Sequence, residues 1–332
     1  MVNNYPWLKP TAQGIFCEPG QFYIDPSRPV EAAVITHGHA DHARSGHFKV
    51  LTTSPTHAII QSRLGEKYAQ RTQSLDYYQP LKHKEVVITL LPAGHILGSA
   101  QVCLEYQGQK VIVSGDYKRR FDPTCEAFKV ESCDLFITEA TFGLPIFKHP
   151  PIGQELTKLL DSLVQMPDRC HVVGVYALGK AQRLIASLRQ LEFTRPIYLH
   201  PALQDLCEIY RCFGVRLTNV LPLSQANPAQ LRGEIVLAPP SALNNNWHQQ
   251  LPDPLLALAS GWMRVRSRHK QRHIELPLII SDHADWDELN QTIDEIAPRE
   301  VWVTHGSEAA LVYACQERGI CARALRELLC HF

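Results

Sequence analysis

The sequence lacks any long apolar run. No stretch of its 332 residues approaches the roughly 20 consecutive apolar residues that a transmembrane helix needs. Residues 1–7 have neither a basic start nor an apolar core, and they do not resemble a secretory signal peptide. We therefore expect a cytoplasmic protein that makes no contact with a membrane.

Net charge is also absent. The 33 Lys and Arg residues balance 33 Asp and Glu residues, which argues against a protein that coats nucleic acid non-specifically. A local basic groove is still compatible with zero net charge, and residues 264–272 concentrate Arg, Lys and His. The balance thus excludes a uniformly basic surface but leaves room for a basic patch.

Paired cysteine motifs are missing as well. Ten cysteines are spread along the chain without a Cys-x-x-Cys pair, which excludes a thioredoxin-like motif and a zinc ribbon. In a reducing compartment we expect these cysteines to behave as small buried hydrophobic residues. The 16 histidines are more informative, because several of them cluster with acidic residues and glycines.

The pattern of strands and helices changes along the chain. From Pro150 onward, strands alternate with helices of amphipathic spacing, which predicts parallel α/β structure. The C-terminal part again shows strand and helix and is predicted to complete the first domain. The predicted domains are residues 1–150, an insertion at 151–273, and the C-terminal completion at 274–332. Before Pro150 there is one helix, near Pro55, and β-rich runs at residues 22–24, 32–36, 86–91, 102–106, 110–114 and 134–138.

The clearest motif is Thr-His-Gly-His-Ala-Asp-His at residues 36–42, directly after a predicted strand. In an extended segment, residues two positions apart point the same way, so His37 and His39 can bind one ion. Asp41 and His42 lie beyond the turn and can reach a second ion beside it. Imidazole and carboxylate ligands suit zinc, or manganese if more oxygen ligands join. A histidine-rich polar loop without a metal is the alternative.

Two ions need more ligands than this loop provides, and later strand ends supply them. His95 follows the predicted strand 86–91, Asp116 follows the strand 110–114, and His305 follows a strand at 300–304. Any one of these residues alone would more often be structural. Their joint occurrence at strand ends predicts that they complete a metal site.

These motifs resemble those of the metallo-β-lactamase superfamily over most of the chain. Residues 36–42 match its His-x-His-x-Asp-His motif, His95 matches the next histidine, and Asp116 matches the metal-bridging aspartate. Asp25 resembles the early strand-end aspartate of the family, a structural residue behind the ligands. The resemblance implies a first ligand set (His37, His39 and His95) and a second ligand set (Asp41, His42 and His305), with Asp116 shared between two ions.

Further segments narrow the resemblance to the β-CASP nucleases within that superfamily. Residues 93–100 are close to their Ala-Gly-His-x-x-Gly-Ser-Ala pattern, and residues 176–182 resemble a strand-to-helix element of the group. Glu139 resembles acidic motif A, His283 motif B and His305 motif C. The resemblance implies an α/β fold, in which an α/β β-CASP domain is inserted into the αββα sandwich of the metallo-β-lactamases.

Two segments, 122–128 and 139–145, resemble the ligase-associated DNA exonucleases of bacteria, which are similar to messenger-RNA 3′-end processing exonucleases. This resemblance implies a two-metal DNA exonuclease in DNA repair, functionally associated with a DNA ligase and a helicase. An RNA 3′-end processing ribonuclease is the alternative, because a histidine at motif C is typical of RNA-acting β-CASP enzymes.

The resemblance also implies catalytic roles. Asp41 is counted as a catalytic residue as well as a ligand, His283 as the general acid, and Glu139 as the group that orients His283 or a water. Two divalent ions, zinc being favoured and manganese the alternative, would activate that water for attack on a phosphodiester. For Glu139, a strand-end acid that caps the next turn is the structural alternative.

Substrate phosphates need cationic or hydrogen-bonding partners. Lys118 and Arg119 follow the predicted bridging aspartate, while Arg264 and Arg266 belong to the basic run, and Ser260 stands at a candidate phosphate-binding turn. We predict that these residues contact the substrate. Ordinary solvated surface is the alternative.

Two rival functions share part of these motifs. A small-molecule hydrolase, such as a glyoxalase-type thioesterase, would share the motif at 36–42, but the insertion, Glu139, His283 and the Thr-His-Gly at 304–306 favour a nuclease. An inactive scaffold subunit usually loses metal ligands, whereas every predicted ligand position here holds a competent residue.

Overall fold

The computed structural model describes residues 4–244, 246–265 and 273–329. The chain divides into two compact units: unit 1 comprises Met1–Phe121, Cys125–Pro145 and His283–Phe332, and unit 2 comprises Asp122–Thr124 and Ile146–Asp282. The strand at Leu276–Leu278 pairs with the sheet of unit 2. Within the described residues, no helix has the length and apolarity that a membrane span requires.

Nineteen strands occur in the described residues, and we number them in chain order. They are β1 (Leu8–Thr11), β2 (Gly14–Cys17), β3 (Phe22–Ile24), β4 (Ala32–Val34), β5 (His47–Thr52), β6 (Ala69–Ser74), β7 (Leu81–His83), β8 (Val86–Pro92), β9 (Ala100–Tyr106), β10 (Gln109–Val113), β11 (Leu135–Ala140), β12 (His171–Gly174), β13 (Ile197–Leu199), β14 (Val220–Pro222), β15 (Ile235–Ala238), β16 (Leu255–Ala259), β17 (Leu276–Leu278), β18 (Glu300–Gly306) and β19 (Cys321–Ala324).

Seven α-helices occur in the same described residues. They are α1 (Ser54–Leu64), α2 (Ile152–Gln165), α3 (Lys180–Gln190), α4 (Gln204–Cys212), α5 (Pro240–Leu243), α6 (Trp286–Ile296) and α7 (Glu308–Glu317).

Unit 1 is built around two sheets. One has the strand order β1-β2-β3-β4-β5-β6, and the other has the order β19-β18-β11-β10-β9-β8-β7. The second sheet is buried on both faces, since alternate residues of each strand face opposite sides. Val111 and Val113 of β10 join the apolar core between the sheets, whereas Ile112 joins a separate core with residues of α6 and α7.

The first sheet is also covered on its outer face. Val50 of β5 packs in one cluster with Ile60 of α1, while Leu51 belongs to the core between the sheets. Unit 1 therefore has four layers, with α1, the two sheets, and then α6 and α7. This is the αββα arrangement that the resemblance to the metallo-β-lactamases implied.

The strand directions bring several loop residues to one edge of the second sheet. Strands β10, β11 and β18 are parallel to one another, so their carboxyl ends share that edge. β8 has the same direction, because both β8 and β10 run antiparallel to β9. The predicted ligands and motif residues that lie at or just after these ends are therefore brought together by the topology, although they are far apart in sequence.

Unit 2 contains a third sheet, of order β14-β13-β15-β12-β16-β17, in which every neighbouring pair is parallel. Helices α3, α4 and α5 come after its strands β12, β13 and β15, as the alternation predicted. The amphipathic helix α3 buries Ala181, Leu184 and Ile185.

Candidate metal centre

The loop after β4 places the residues of the motif at 36–42. Ile35 still bonds to the neighbouring strand through Leu51, and the backbone amide of Ala43 donates to the carbonyl of His39 at 2.8 Å. This turn reverses the chain after His39, so that His42 returns to the ring of His37, with ring centroids 4.1 Å apart.

The first ligand set converges tightly. One ligand atom each from His37, His39, His95 and Asp116 lies within 4.8 Å of all the others. The Nδ1 atom of His39 lies 3.1 Å from His37 Nε2 and 2.9 Å from His95 Nε2. Lone pairs on neutral ring nitrogens repel one another at this distance unless a proton or a cation lies between them. This donor set of imidazoles and a carboxylate suits a divalent metal ion.

The second ligand set is looser and more exposed. The Nε2 atom of His42 lies 3.4 Å from Asp116 Oδ2 and 3.8 Å from Asp41 Oδ2. The ring of His305 stacks on that of His42, with centroids 5.1 Å apart. Asp41 is 68% exposed at its side chain, and His305 is exposed and in a left-handed conformation, with φ of 53°. Within the described residues, Asp41 and His305 therefore lie near His42 without forming a compact cluster with it.

One orphaned atom marks the second set. The Nε2 atom of His42 is buried and has no hydrogen-bond partner among the described residues. Its Nδ1 atom is held by Asp25 Oδ2 at 2.7 Å. A buried polar atom without a partner is costly, and a cation beside Asp116 would supply one. This observation fits the metal that the sequence predicted.

The charges of the centre follow from burial and close neighbours. Burial would raise the pKa of Asp116, but the neighbouring His42 and His283 hold that pKa well below its usual value. Burial, together with the surrounding histidines, lowers the pKa of His95 well below its usual value. Burial also tends to lower the pKa of His42, yet the carboxylates Asp116 and Asp25 outweigh it and raise that pKa well above normal. A cation binding at His42 must therefore displace a proton.

Glu139 and His283 form a dyad beside this cluster. The Nδ1 atom of His283 lies 2.9 Å from Oε2 of Glu139 and 3.1 Å from its Oε1. The buried carboxylate also accepts hydrogen bonds from the Tyr117 amide, at 2.7 Å, and from the Thr141 hydroxyl. Ligand atoms of Asp116, Glu139 and His283 lie within 4.8 Å of one another. The structure thus brings motif A and motif B together next to the predicted bridging residue.

Lys118 occupies a different place from the one predicted. It is 1% exposed, and its Nζ atom donates to the backbone carbonyl of His95 at 3.1 Å. In this position its ammonium group supports the loop that carries His95, and solvent or a phosphate cannot reach it. The sequence signal was a basic run after Asp116, and it contained no information about which of its cations is buried.

Arg119 is partly exposed but paired. Its guanidinium donates to Thr292 Oγ1 at 3.0 Å and to Glu295 Oε2 at 2.6 Å, and it lies over the ring of Phe128. These contacts join the end of the loop after Asp116 to α6.

The three residues of unit 2 that were predicted to contact the substrate differ in their exposure to solvent. Ser260 is buried, and its hydroxyl accepts the amide hydrogen of Trp262 at 3.3 Å, which caps the short 3₁₀ helix at Gly261–Arg264. Arg264 is exposed and donates to the carbonyl of Ile146. Arg266 lies outside the described residues.

The chain has recognisable relatives, although no family model matches it. A protein from Opitutus terrae, named probable DNA ligase, is 28% identical over 325 residues, or 97% of this chain and 31% of that protein. Endoribonuclease YSH1 from Kluyveromyces lactis is 28% identical over 222 residues, or 54% of this chain and 28% of that protein. The chain is similar to the β-CASP metallo-β-lactamases. It spans about a third of the length of these curated relatives, 31% and 28% respectively.

The fold has a match among solved structures. A crystal structure of a protein of unknown function from Enterococcus faecalis superposes with a TM-score of 0.59 at 17% identity, covering 88% of this chain and 78% of that chain. The likeness concerns the fold alone. Together with the layers of unit 1, it confirms the predicted α/β fold.

Proposed function

We propose that the chain is a divalent-metal-dependent nuclease that hydrolyses phosphodiester bonds, and specifically an exonuclease acting on DNA in repair. The observation that carries the proposal is the His283–Glu139 dyad beside the cluster of His37, His39, His95 and Asp116. A small-molecule hydrolase needs only the metal cluster. The dyad adds a proton donor, which the leaving alkoxide of a nucleotide requires.

The residues of the cluster fit the proposed ions. The first ligand set would hold one ion and the second set the other, with Asp116 between them. When bound, two divalent ions lower the pKa of a water and stabilise negative charge on a phosphoryl group. Imidazole ligands favour zinc, with manganese as the alternative. Each predicted ligand position holds a residue that can bind a metal ion, which also argues against an inactive scaffold subunit.

The chain's own residues would handle the leaving-group proton. Glu139 is fixed by the Tyr117 amide and the Thr141 hydroxyl, and it in turn holds Nδ1 of His283. His283 is therefore oriented so that its other nitrogen, Nε2, would hold the proton for the departing oxygen. Asp41, which is largely exposed, would act at the solvent side of the second set.

DNA is favoured over RNA by the extent of the alignments. The relative named DNA ligase matches 97% of the chain, whereas the relative named endoribonuclease matches 54%. We propose that unit 2 is the inserted β-CASP domain, that the protein works in the cytoplasm, and that a DNA ligase and a helicase are its functional partners. RNA 3′-end processing remains the second candidate, because the relatives include an endoribonuclease.

The deciding experiment uses matched single-stranded DNA and RNA, labelled at either end. Purified full chain with zinc or manganese is incubated with each, beside Asp116→Ala and, as a control, Asp161→Ala at an exposed position of α2. Stepwise shortening of DNA, lost only in Asp116→Ala, supports the proposal. Cleavage of RNA alone would support a role in RNA processing instead. Cleavage at internal positions would contradict an exonuclease. If neither DNA nor RNA is cleaved, the proposed nuclease activity is wrong.

A further inference from the structure

The carboxylate of Asp25 is connected to both ligand sets. Its Oδ2 atom accepts a hydrogen bond from Nδ1 of His42, at 2.7 Å, and one from the hydroxyl of Thr36, at 2.6 Å. Its Oδ1 atom accepts the backbone amide of Thr36 at 2.8 Å. The Thr36 hydroxyl in turn lies 3.0 Å from Nδ1 of His37. His42 belongs to the second set, and His37 to the first.

The number of protons fixes the direction of these hydrogen bonds. A threonine hydroxyl has one hydrogen, and Asp25 as a carboxylate can only accept it. Toward His37, the hydroxyl oxygen must therefore be the acceptor, and Nδ1 of His37 must carry the proton. That leaves the lone pair of His37 on Nε2, which lies 3.4 Å from Asp116 Oδ2. By the same logic, Nδ1 of His42 carries a proton that it donates to Asp25, which leaves its Nε2 for a ligand bond.

The Thr36 hydroxyl is held firmly in this position. The residue is 1% exposed, and its carbonyl accepts the amide hydrogen of Ala100 at 2.8 Å. Gly115 lies against it with φ of 57°, and a Cβ atom at that position would be 2.8 Å from Thr36 Cβ and 2.9 Å from its Oγ1. Because Gly115 directly precedes Asp116, the place that the hydroxyl needs is kept open beside the shared ligand.

We propose that Thr36 is a positioning residue. Its hydroxyl donates to Asp25 and accepts from His37, so that the Asp25 carboxylate orients His42 directly and His37 through Thr36. The inference rests on the proposed two-metal site and adds to it a link between the two ions. Partners behind a metal ligand fix its tautomer and ring orientation, and their loss typically weakens metal affinity about 10–100-fold. The link predicts which ion each substitution affects.

The test compares Thr36→Val, which keeps the shape but removes the hydroxyl, with Thr36→Ser, which keeps the hydroxyl. Zinc dissociation constants of the full chain are measured by competition with a chromophoric chelator. We expect Thr36→Val to lower the affinity for one zinc ion about 10–100-fold and to leave the affinity for the other unchanged. Both affinities of Thr36→Ser should stay within about 3-fold of the wild-type values. Asp25→Asn should weaken both ions.

The outcomes separate the link from the metal site itself. The link is overturned if Thr36→Val leaves both zinc affinities unchanged, or if Thr36→Ser lowers them as much as Thr36→Val does. In either case the two ions still bind, so the metal site itself is not contradicted. If the wild-type chain binds neither zinc nor manganese, both the link and the proposed function are overturned. If Thr36→Val does not fold, imidazole ¹⁵N spectra of zinc-loaded wild type decide. A proton on Nδ1 of His37 supports the link, and a proton on its Nε2 overturns it.

Discussion

The two ligand sets of the candidate centre differ in how closely their ligand atoms converge and in how deeply they are buried. In the first set, His37 and His95 are fully buried, and with His39 and Asp116 their ligand atoms already converge within 4.8 Å. In the second set only His42 is buried, while Asp41 and His305 are exposed. A prearranged site loses less conformational entropy when it binds. We therefore expect the first set to bind its ion more tightly than the second.

Single-ligand substitutions test this comparison most strongly. His95→Ala removes a buried ligand, and we expect the affinity for one ion to fall about 10²–10³-fold, since about 10–16 kcal/mol of binding is shared among four ligands in zinc sites. His305→Ala removes an exposed ligand that water can replace, so a loss of about 10-fold in the other ion is expected. Zinc per chain after dialysis against graded metal buffers measures both.

The control for these two variants is His200→Ala, at a half-buried histidine of unit 2. It should retain the zinc content of the wild type. Equal losses in His95→Ala and His305→Ala would show that burial does not distinguish the two sets.

Substitution of the dyad separates proton transfer from metal binding. We expect His283→Ala to lower kcat about 10²–10⁴-fold with both ions retained, because general acid–base catalysis typically contributes that much. Glu139→Gln keeps the size of the side chain but weakens its hold on Nδ1 of His283, and about a 10-fold fall is expected. Rates at saturating substrate are compared with zinc content. Loss of an ion from His283→Ala would instead make His283 a ligand in a cluster with Asp116 and Glu139.

Lys118 provides the next test, on the buried side of the centre. Lys118→Met should lower the free energy of unfolding by about 1–3 kcal/mol, since it removes a charged donor from the carbonyl of His95. Urea denaturation measures this loss. The matched variant Arg119→Met changes a partly exposed cation, and a smaller loss is expected. A higher KM for DNA in Lys118→Met, with stability unchanged, would restore Lys118 as a phosphate contact.

The convergence of the candidate ligands was predictable, because they stand at strand ends and strand ends can be recognised locally. The predicted strands at residues 86–91, 110–114 and 300–304 became β8, β10 and β18, and β18 extends through His305. The turn between β9 and β10 is equally local, since Gln107 and Gly108 have the positive φ values, 48° and 78°, that a tight hairpin needs.

Other features depend on contacts that are distant in sequence. Strands β1, β2 and β19 were not predicted, because such short strands are stabilised mainly by pairing with their neighbours in the sheet. The hydroxyl of Thr36 stood directly before the ligand motif, yet its role depends on Asp25 and Gly115, which come from other loops. The burial of Lys118 likewise follows from the packing of the His95 loop and not from its basic neighbours.

The smallest expected effect concerns the exposed pair of Arg119 and Glu295. The hydrogen bond from Arg119 is the main cause that lowers the pKa of Glu295. A carboxyl group with a lowered pKa in the folded state stabilises the fold above its unfolded pKa, near 4.5, and this contribution is lost as pH falls through the folded value. Because Glu295 is exposed, Glu295→Gln should change stability little at pH 7, and any difference from wild type should vanish as pH falls below the folded pKa. Thermal unfolding between these pH values measures it. A large loss at pH 7 would mean that Arg119 is held as firmly as the buried Lys118, and the contrast between the buried and exposed sides of the centre would then not extend to its cations.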